Sequence, residues 1–210
     1  MKMGGMKLIR KIINHTNIYK SLLLPISMEK DFNPLKKLLK TKNLVLTERH
    51  KDNLNVSEKN GFYIYNYNQN VLVPRGDPII RMCRGIVLRE DGTIVNYPFD
   101  RFFNFHEADC DEVDIENADI LEKLDGSLIS VWYTGTEWEV TTRGSFYPNE
   151  NAHNFKETFS RLFNEFDKLD KNYCYQFELC SSLNRIVTSY EKEFITLLGA
   201  RDINTLEEKS

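Results

Sequence analysis

The sequence predicts an α+β protein, mainly antiparallel sheets with flanking helices. Two observations carry this. Between 61 and 146, short runs of aromatic and β-branched residues alternate with turn dipeptides such as Asp91-Gly92. Apolar residues recur at helical spacing only before and after that region, over 28–40 and 152–169.

Residues 1–16 are basic and weakly patterned, which predicts a frayed start. Over 28–40, Phe32, Leu35, Leu38 and Leu39 mark one face of a short amphipathic helix. The first strand begins in Gly61-Phe62-Tyr63-Ile64-Tyr65. Residues 84–89 and 93–97 flank Asp91-Gly92 and read as a hairpin. Residues 127–133 and 137–142 read as a second hairpin. The helix expected over 152–169 is carried by Phe155, Phe159, Leu162, Phe163 and Phe166. In 173–179, Tyr173, Tyr175, Phe177 and Leu179 alternate on a core face. Cys174, Gln176, Glu178 and Cys180 then lie on the other face, which reads first as a solvated strand face, and Glu178 either meets water or faces a polar ligand. A last strand is expected over 194–199. The chain divides into an N-terminal segment, 1–60, packing on a unit over 61–210.

With 41% hydrophobic and 28% charged residues, the 210-residue chain can bury a core. Its net charge of −3 provides no overall basic field, so any nucleic acid must meet a local patch. Cys83, Cys110, Cys174 and Cys180 form no C-x-x-C pair, and the four histidines lack ligand spacing. Reduced thiols, no structural zinc and a cytoplasmic location are expected. The longest apolar run, Leu22-Leu23-Leu24-Pro25-Ile26, is too short to span a membrane.

The stretch Glu122 to Ser130, EKLDGSLIS, places Lys123 two residues before Asp125-Gly126. A lysine attacks only as the neutral amine, and its free pKa is near ~10.4. Burial or neighbouring cations can bring that within reach of neutral pH. Asp125 suits a tight turn, and Gly126 leaves room for a ligand. Taken alone, the tetrapeptide reads first as the charged shoulder of a hairpin.

Its company changes the balance. Tyr67 lies on the aromatic strand, Arg84 opens an apolar strand, Arg101 follows a proline-containing stretch and Arg143 precedes a glycine at a strand end. Singly these read as a packed aromatic, a salt-bridge former, a snorkelling cation and a turn residue. Glu178 is a carboxylate between small or neutral groups on its face, with Arg185 close behind in sequence.

In order, YNYN (65–68), CRGIVL (83–88), RFFN (101–104), KLDGSLIS (123–130), TRGS (142–145) and FELCSSLNRIV (177–187) resemble the nucleotidyltransferase domain of ATP-dependent RNA ligases, of the T-even phage tRNA-repair type. K-x-D-G is shared with DNA ligases and capping enzymes, whereas RFFN, KLDGSL and FEL…NRIV in this order are specific to the RNA ligase branch. The resemblance implies an ATP-grasp-like adenylation domain using ATP and Mg2+. Lys123 would take AMP from ATP and pass it to an RNA 5′-phosphate, which a 3′-hydroxyl then seals. Broken tRNA is the implied substrate. Tyr67, Arg84, Arg101 and Arg143 would bind the nucleotide, and Glu178 would bind its ribose or hold metal-bound water.

Two departures from the pattern stand out. The family commonly has lysine where Arg101 and Arg143 stand; arginine keeps the charge but binds phosphate as a rigid fork. The E-G-x-V and K-x-K strands of the family are not found before Ser210. The expectation is therefore an incomplete adenylation domain, completed by a second polypeptide, or a fragment that binds nucleotide or RNA without ligating.

Overall fold

A computed structural model describes residues 8–10, 44, 46–69, 77–105, 107, 109–147, 154–182 and 187–209. The helix expected over 28–40 lies outside them. In chain order the elements are β1 (Leu8–Arg10), α1 (Glu48–Lys51), β2 (Leu54–Lys59), β3 (Phe62–Tyr67), α2 (Pro78–Met82), β4 (Arg84–Arg89), β5 (Ile94–Asn96), β6 (Asp119–Leu121), β7 (Ser127–Tyr133), β8 (Trp138–Thr142), α3 (Phe155–Leu162), β9 (Tyr173–Cys180), β10 (Phe194–Asp202) and β11 (Glu208–Lys209). All strand pairs are antiparallel, and the α+β class holds.

One sheet has the order β2-β3-β4-β5 and the other β11-β10-β9-β7-β8. The first begins with a hairpin turned by Asn60 (φ 53) and Gly61 (φ 77), the left-handed pair that matches strand twist. Leu8–Arg10, expected to be frayed, pairs with β6 instead.

Three apolar layers hold these sheets. On the outside of the four-stranded sheet, Ile79, Ile80 and Met82 of α2 pack with Leu54, Ile86, Leu88 and Tyr97. The sequence states α2 locally: Asp77 caps it by accepting from the Ile79 and Ile80 N–H groups, and Pro78 sits in the first turn. Between the sheets, Ile64, Val87 and Val95 meet Trp132, Phe146 and Cys174. Outside the five-stranded sheet, Phe155 and Phe159 of α3 cover Ile129, Val131, Phe177 and Leu179.

This layering corrects the reading of β9. Its polar face does not meet water along its length. Cys174, Gln176 and Cys180 are buried, because the four-stranded sheet covers that face over most of it. A polar chain crosses the gap: Ser130 Oγ donates to Gln176 Oε1 (2.7 Å), Gln176 Nε2 to Asn96 Oδ1 (3.5 Å), and Asn96 Nδ2 to the Gly85 carbonyl (3.1 Å). All four cysteines are free.

The helix expected over 152–169 is also shorter. It starts after Asn154, whose side chain accepts from the Glu157 N–H, and stops at an extended Phe163. A 3-10 turn follows at Phe166–Lys168. Phe163, Phe166 and Leu169 still pack on the same core, so the apolar spacing outlasts the helix.

Glu139 on β8 joins three elements. It accepts from Lys59 of β2 (2.5 Å) and from Lys156 of α3, with 11% of its side chain exposed. Burial raises its carboxyl, but the two lysines outweigh that and hold it below the ordinary glutamate value. Replacing Glu139 by Gln should cost about 1–2 kcal/mol, between exposed and fully buried pairs. Because the carboxyl is depressed in the folded state, this contribution is complete above about pH 4.5 and is lost as pH falls through the lower folded value. Urea unfolding of wild type and Glu139→Gln across pH 3–7 should show the gap closing on acidification.

Candidate active site

The strand ends that carry the conspicuous residues of the sequence meet at one end of the two packed sheets. Ser127 pairs with Leu179 and Ile129 with Thr142, so the start of β7 and the ends of β8 and β9 lie together. Asn66 pairs with Arg84, so the end of β3 lies beside the start of β4. The two groups touch at Gly85 (φ +96), where a Cβ would stand 3.0 Å from the Arg143 carbonyl oxygen.

Lys123 is exposed and lies two residues beyond β6. The rest of its motif builds its surroundings. Asp125 Oδ2 accepts from the Val187 and Thr188 N–H groups, both at 2.6 Å, and these contacts hold its carboxyl below the usual range. The Asp125 N–H donates to the Tyr190 hydroxyl (3.0 Å). Gly126 N–H donates to Glu178 Oε1 (2.9 Å). The role expected for Gly126 is therefore corrected. A Cβ there would fall 2.3 Å from the Leu179 carbonyl oxygen, so the glycine makes room for β9.

Glu178 stands between Lys123 and Arg84. Burial pushes its carboxyl above the usual range, and the Gly126 N–H, Lys123 and Arg84 offset only part of that. Arg84 is half-buried, and burial pushes it down, with the positive charge of Arg143 adding to the effect; Tyr67 and Glu178 pull the other way. Its guanidinium also lies 4.9 Å from the Phe102 ring centre. Arg101 and Arg143 lie 4.3 and 5.6 Å from the Tyr67 ring centre. Tyr67, Arg84, Arg101, Lys123, Arg143 and Glu178 thus form one connected cluster.

Sequence reasoning gave no role to Asn66, Phe102 or Tyr190. Phe102 could have been found as the neighbour of Arg101, whereas Tyr190 reaches Asp125 from 65 positions away. Arg185 lies outside the described residues. Two open hollows of about 410 and 340 Å3 share Trp138 and Phe166 near α3 and contain none of the six. Among the described residues, no three His, Cys, Asp or Glu side chains converge as a metal site, and no helix is long and apolar enough to cross a membrane.

Strand ends of two antiparallel sheets that gather an exposed lysine, a carboxylate and three arginines are suited to binding a phosphorylated ligand. Comparison with known proteins agrees in kind. The RNA ligase family model matches residues 82–210, and the chain belongs to that family. It is 33% identical over 174 residues to a protein of Autographa californica nuclear polyhedrosis virus provisionally named as a bifunctional polynucleotide kinase/RNA ligase, covering 66% of this chain and 25% of that one. It is 26% identical over 197 residues to the RNA ligase of Rhodothermus phage RM378, covering 73% of this chain and 44% of that one. The chain thus spans less than half the length of either relative.

Gly126→Ala should force β7 away from β9 and strain the Glu178 contact, destabilising the fold by about 1–3 kcal/mol. A lower midpoint in thermal unfolding checks this.

Proposed function

We propose that this chain carries the adenylating site of an ATP-dependent RNA ligase. The observation that carries the reading is the placement of Lys123 beside Glu178, with Arg84, Arg101 and Arg143 gathered around Tyr67. Family membership supports it.

ATP fits the residues present. Arg84 Nη1 is buried without a hydrogen-bond partner, and the neighbouring cations lack carboxylates enough to neutralise them within the cluster. ATP supplies both needs, its phosphates meeting the cations and its ribose or phosphates meeting Arg84. Arg84 would contact ribose and phosphates, Tyr67 would lie beside the nucleotide, and Arg101 and Arg143 would turn from the Tyr67 ring towards phosphate. Glu178 would meet the ribose or metal-bound water. With one carboxylate at the centre, Mg2+ would be held mainly by phosphate and water.

The neutral Lys123 amine would form an N–P bond to the α-phosphorus as the bond to pyrophosphate breaks. Arginine charge matters most as that leaving group departs. An RNA 5′-phosphate would then take the AMP and free Lys123, and a 3′-hydroxyl would displace AMP and join the strands. Broken tRNA is the proposed RNA, with host cytoplasm the place of action. A second polypeptide carrying further phosphate-binding lysines would raise the rate.

Incubation with α-labelled ATP and Mg2+ should label the chain, and Lys123→Ala should abolish the label while Arg84→Ala lowers it by about 10²–10³. Label persisting in Lys123→Ala would sink the reading. ATP bound without label, even with the second polypeptide supplied, would leave a nucleotide-binding module only. Nick sealing on RNA, DNA and hybrid strands separates an RNA ligase from a DNA ligase or capping-type enzyme.

A further inference from the structure

Among the described residues, two buried side-chain polar atoms have no hydrogen-bond partner: Asn66 Oδ1 and Arg84 Nη1. They are not scattered. Asn66 and Arg84 face each other across β3 and β4, at the register shift that follows Tyr65. The amide nitrogen of Asn66 lies against Gly144, 3.7 Å from where a Cβ would stand. Its oxygen is the end left unmet.

One of these atoms only accepts and the other only donates. Burying both without partners is costly unless a ligand group meets them. A phosphate oxygen can serve Arg84 but not Asn66 Oδ1. An amino group can serve Asn66 but not Arg84. A hydroxyl serves both through a single oxygen, donating to one and accepting from the other. Ribose is the hydroxyl-bearing part of a nucleotide and of an RNA end.

We infer that Asn66 is a specificity residue that reads a ribose hydroxyl, which donates to Asn66 Oδ1 while its oxygen accepts from Arg84 Nη1. The inference rests on the adenylation reading for the class of ligand, though not on the chemistry of Lys123. Removing Asn66 from the protein should therefore take away part of what removing the hydroxyl from the ligand takes away, because the contact to Arg84 remains.

The test crosses ligands with variants, using calorimetric binding to the full chain. The ligands are ATP, 2′-deoxy-ATP and 3′-deoxy-ATP, and a short RNA with either a ribose or a 2′-deoxyribose end. The proteins are wild type, Asn66→Ala and Asn66→Leu. The wild type should bind one ribose ligand at least about tenfold more tightly than its deoxy counterpart, because both contacts of the hydroxyl are lost together. Both variants should narrow that preference by about three- to tenfold, the contact to Arg84 keeping the rest, with the affinity for the deoxy ligand unchanged. The pair that responds tells whether the hydroxyl belongs to the nucleotide or to the RNA end.

Equal weakening of ribose and deoxyribose ligands in the variants would make Asn66 structural and overturn the inference. Lack of discrimination by the wild type overturns it whatever the variants do. In both cases a Lys123 adduct would leave the adenylation reading standing. Discrimination through Asn66 without any adduct would support the inference and sink that reading. Failure of both ATP and RNA to bind would overturn both.

Discussion

Gly126 lies where β7 begins, and its Cα faces β9 so closely that an added Cβ would stand 2.3 Å from the Leu179 carbonyl oxygen. That approach lets its N–H reach Glu178, so the end of β9 is pinned to the loop bearing Lys123. Gly85 does the same on the opposite sheet, against the backbone of Arg143. The two glycines set the spacing of the strand ends. The positions of Lys123, Glu178, Arg84 and Arg143 follow from that spacing, because Lys123 lies three residues from Gly126 and Arg84 next to Gly85, while Glu178 accepts from the Gly126 N–H and Arg143 lies against Gly85. A few tenths of an ångström here would be felt at all four.

The electrostatics of the cluster run against the fold's own stability. Three guanidinium groups converge, and they repel one another. The Tyr67 ring offsets part of this for Arg101 and Arg143, at about 0.5–2 kcal/mol for each such contact. Phe102 does so for Arg84. Aromatic faces hold cations without neutralising them, so the charge stays available to an incoming anion. A carboxylate at each arginine would have been more stabilising and would have competed with phosphate. Glu178 is the exception, and burial pushes its carboxyl above the usual range.

The interface between the two sheets behind this site is held by polar as well as apolar contacts. The chain from Ser130 through Gln176 and Asn96 ends on the carbonyl of Gly85, the residue that touches Arg143. A buried polar chain is stable only when every member is satisfied, which makes it intolerant of sliding. It therefore fixes the register of the two sheets more sharply than Ile64, Val87 and Trp132 could through shape alone. The site inherits that register.

Much of the molecule was legible in the sequence. Strand periodicity placed β3, β4, β7, β8, β9 and β10, and Asp91-Gly92 marked its hairpin, because side-chain alternation and turn chemistry are local properties. The local signals for α2, Asp77 and Pro78, and for the β2–β3 turn, Asn60-Gly61, were present too. The motifs around Lys123 pointed to the RNA ligase family. Tertiary structure decided the rest. Alternation in β9 divided its residues between two faces but could not say that a second sheet would cover the polar one. Apolar spacing across 152–169 could not distinguish a helix from extended chain feeding the same core. Gly126 looked like space for a ligand and proved to be space for Leu179. Asn66 and Tyr190 carried no signal, since what matters about them is which atom lies opposite. Sequence pattern reports what each residue offers; only packing determines what it meets.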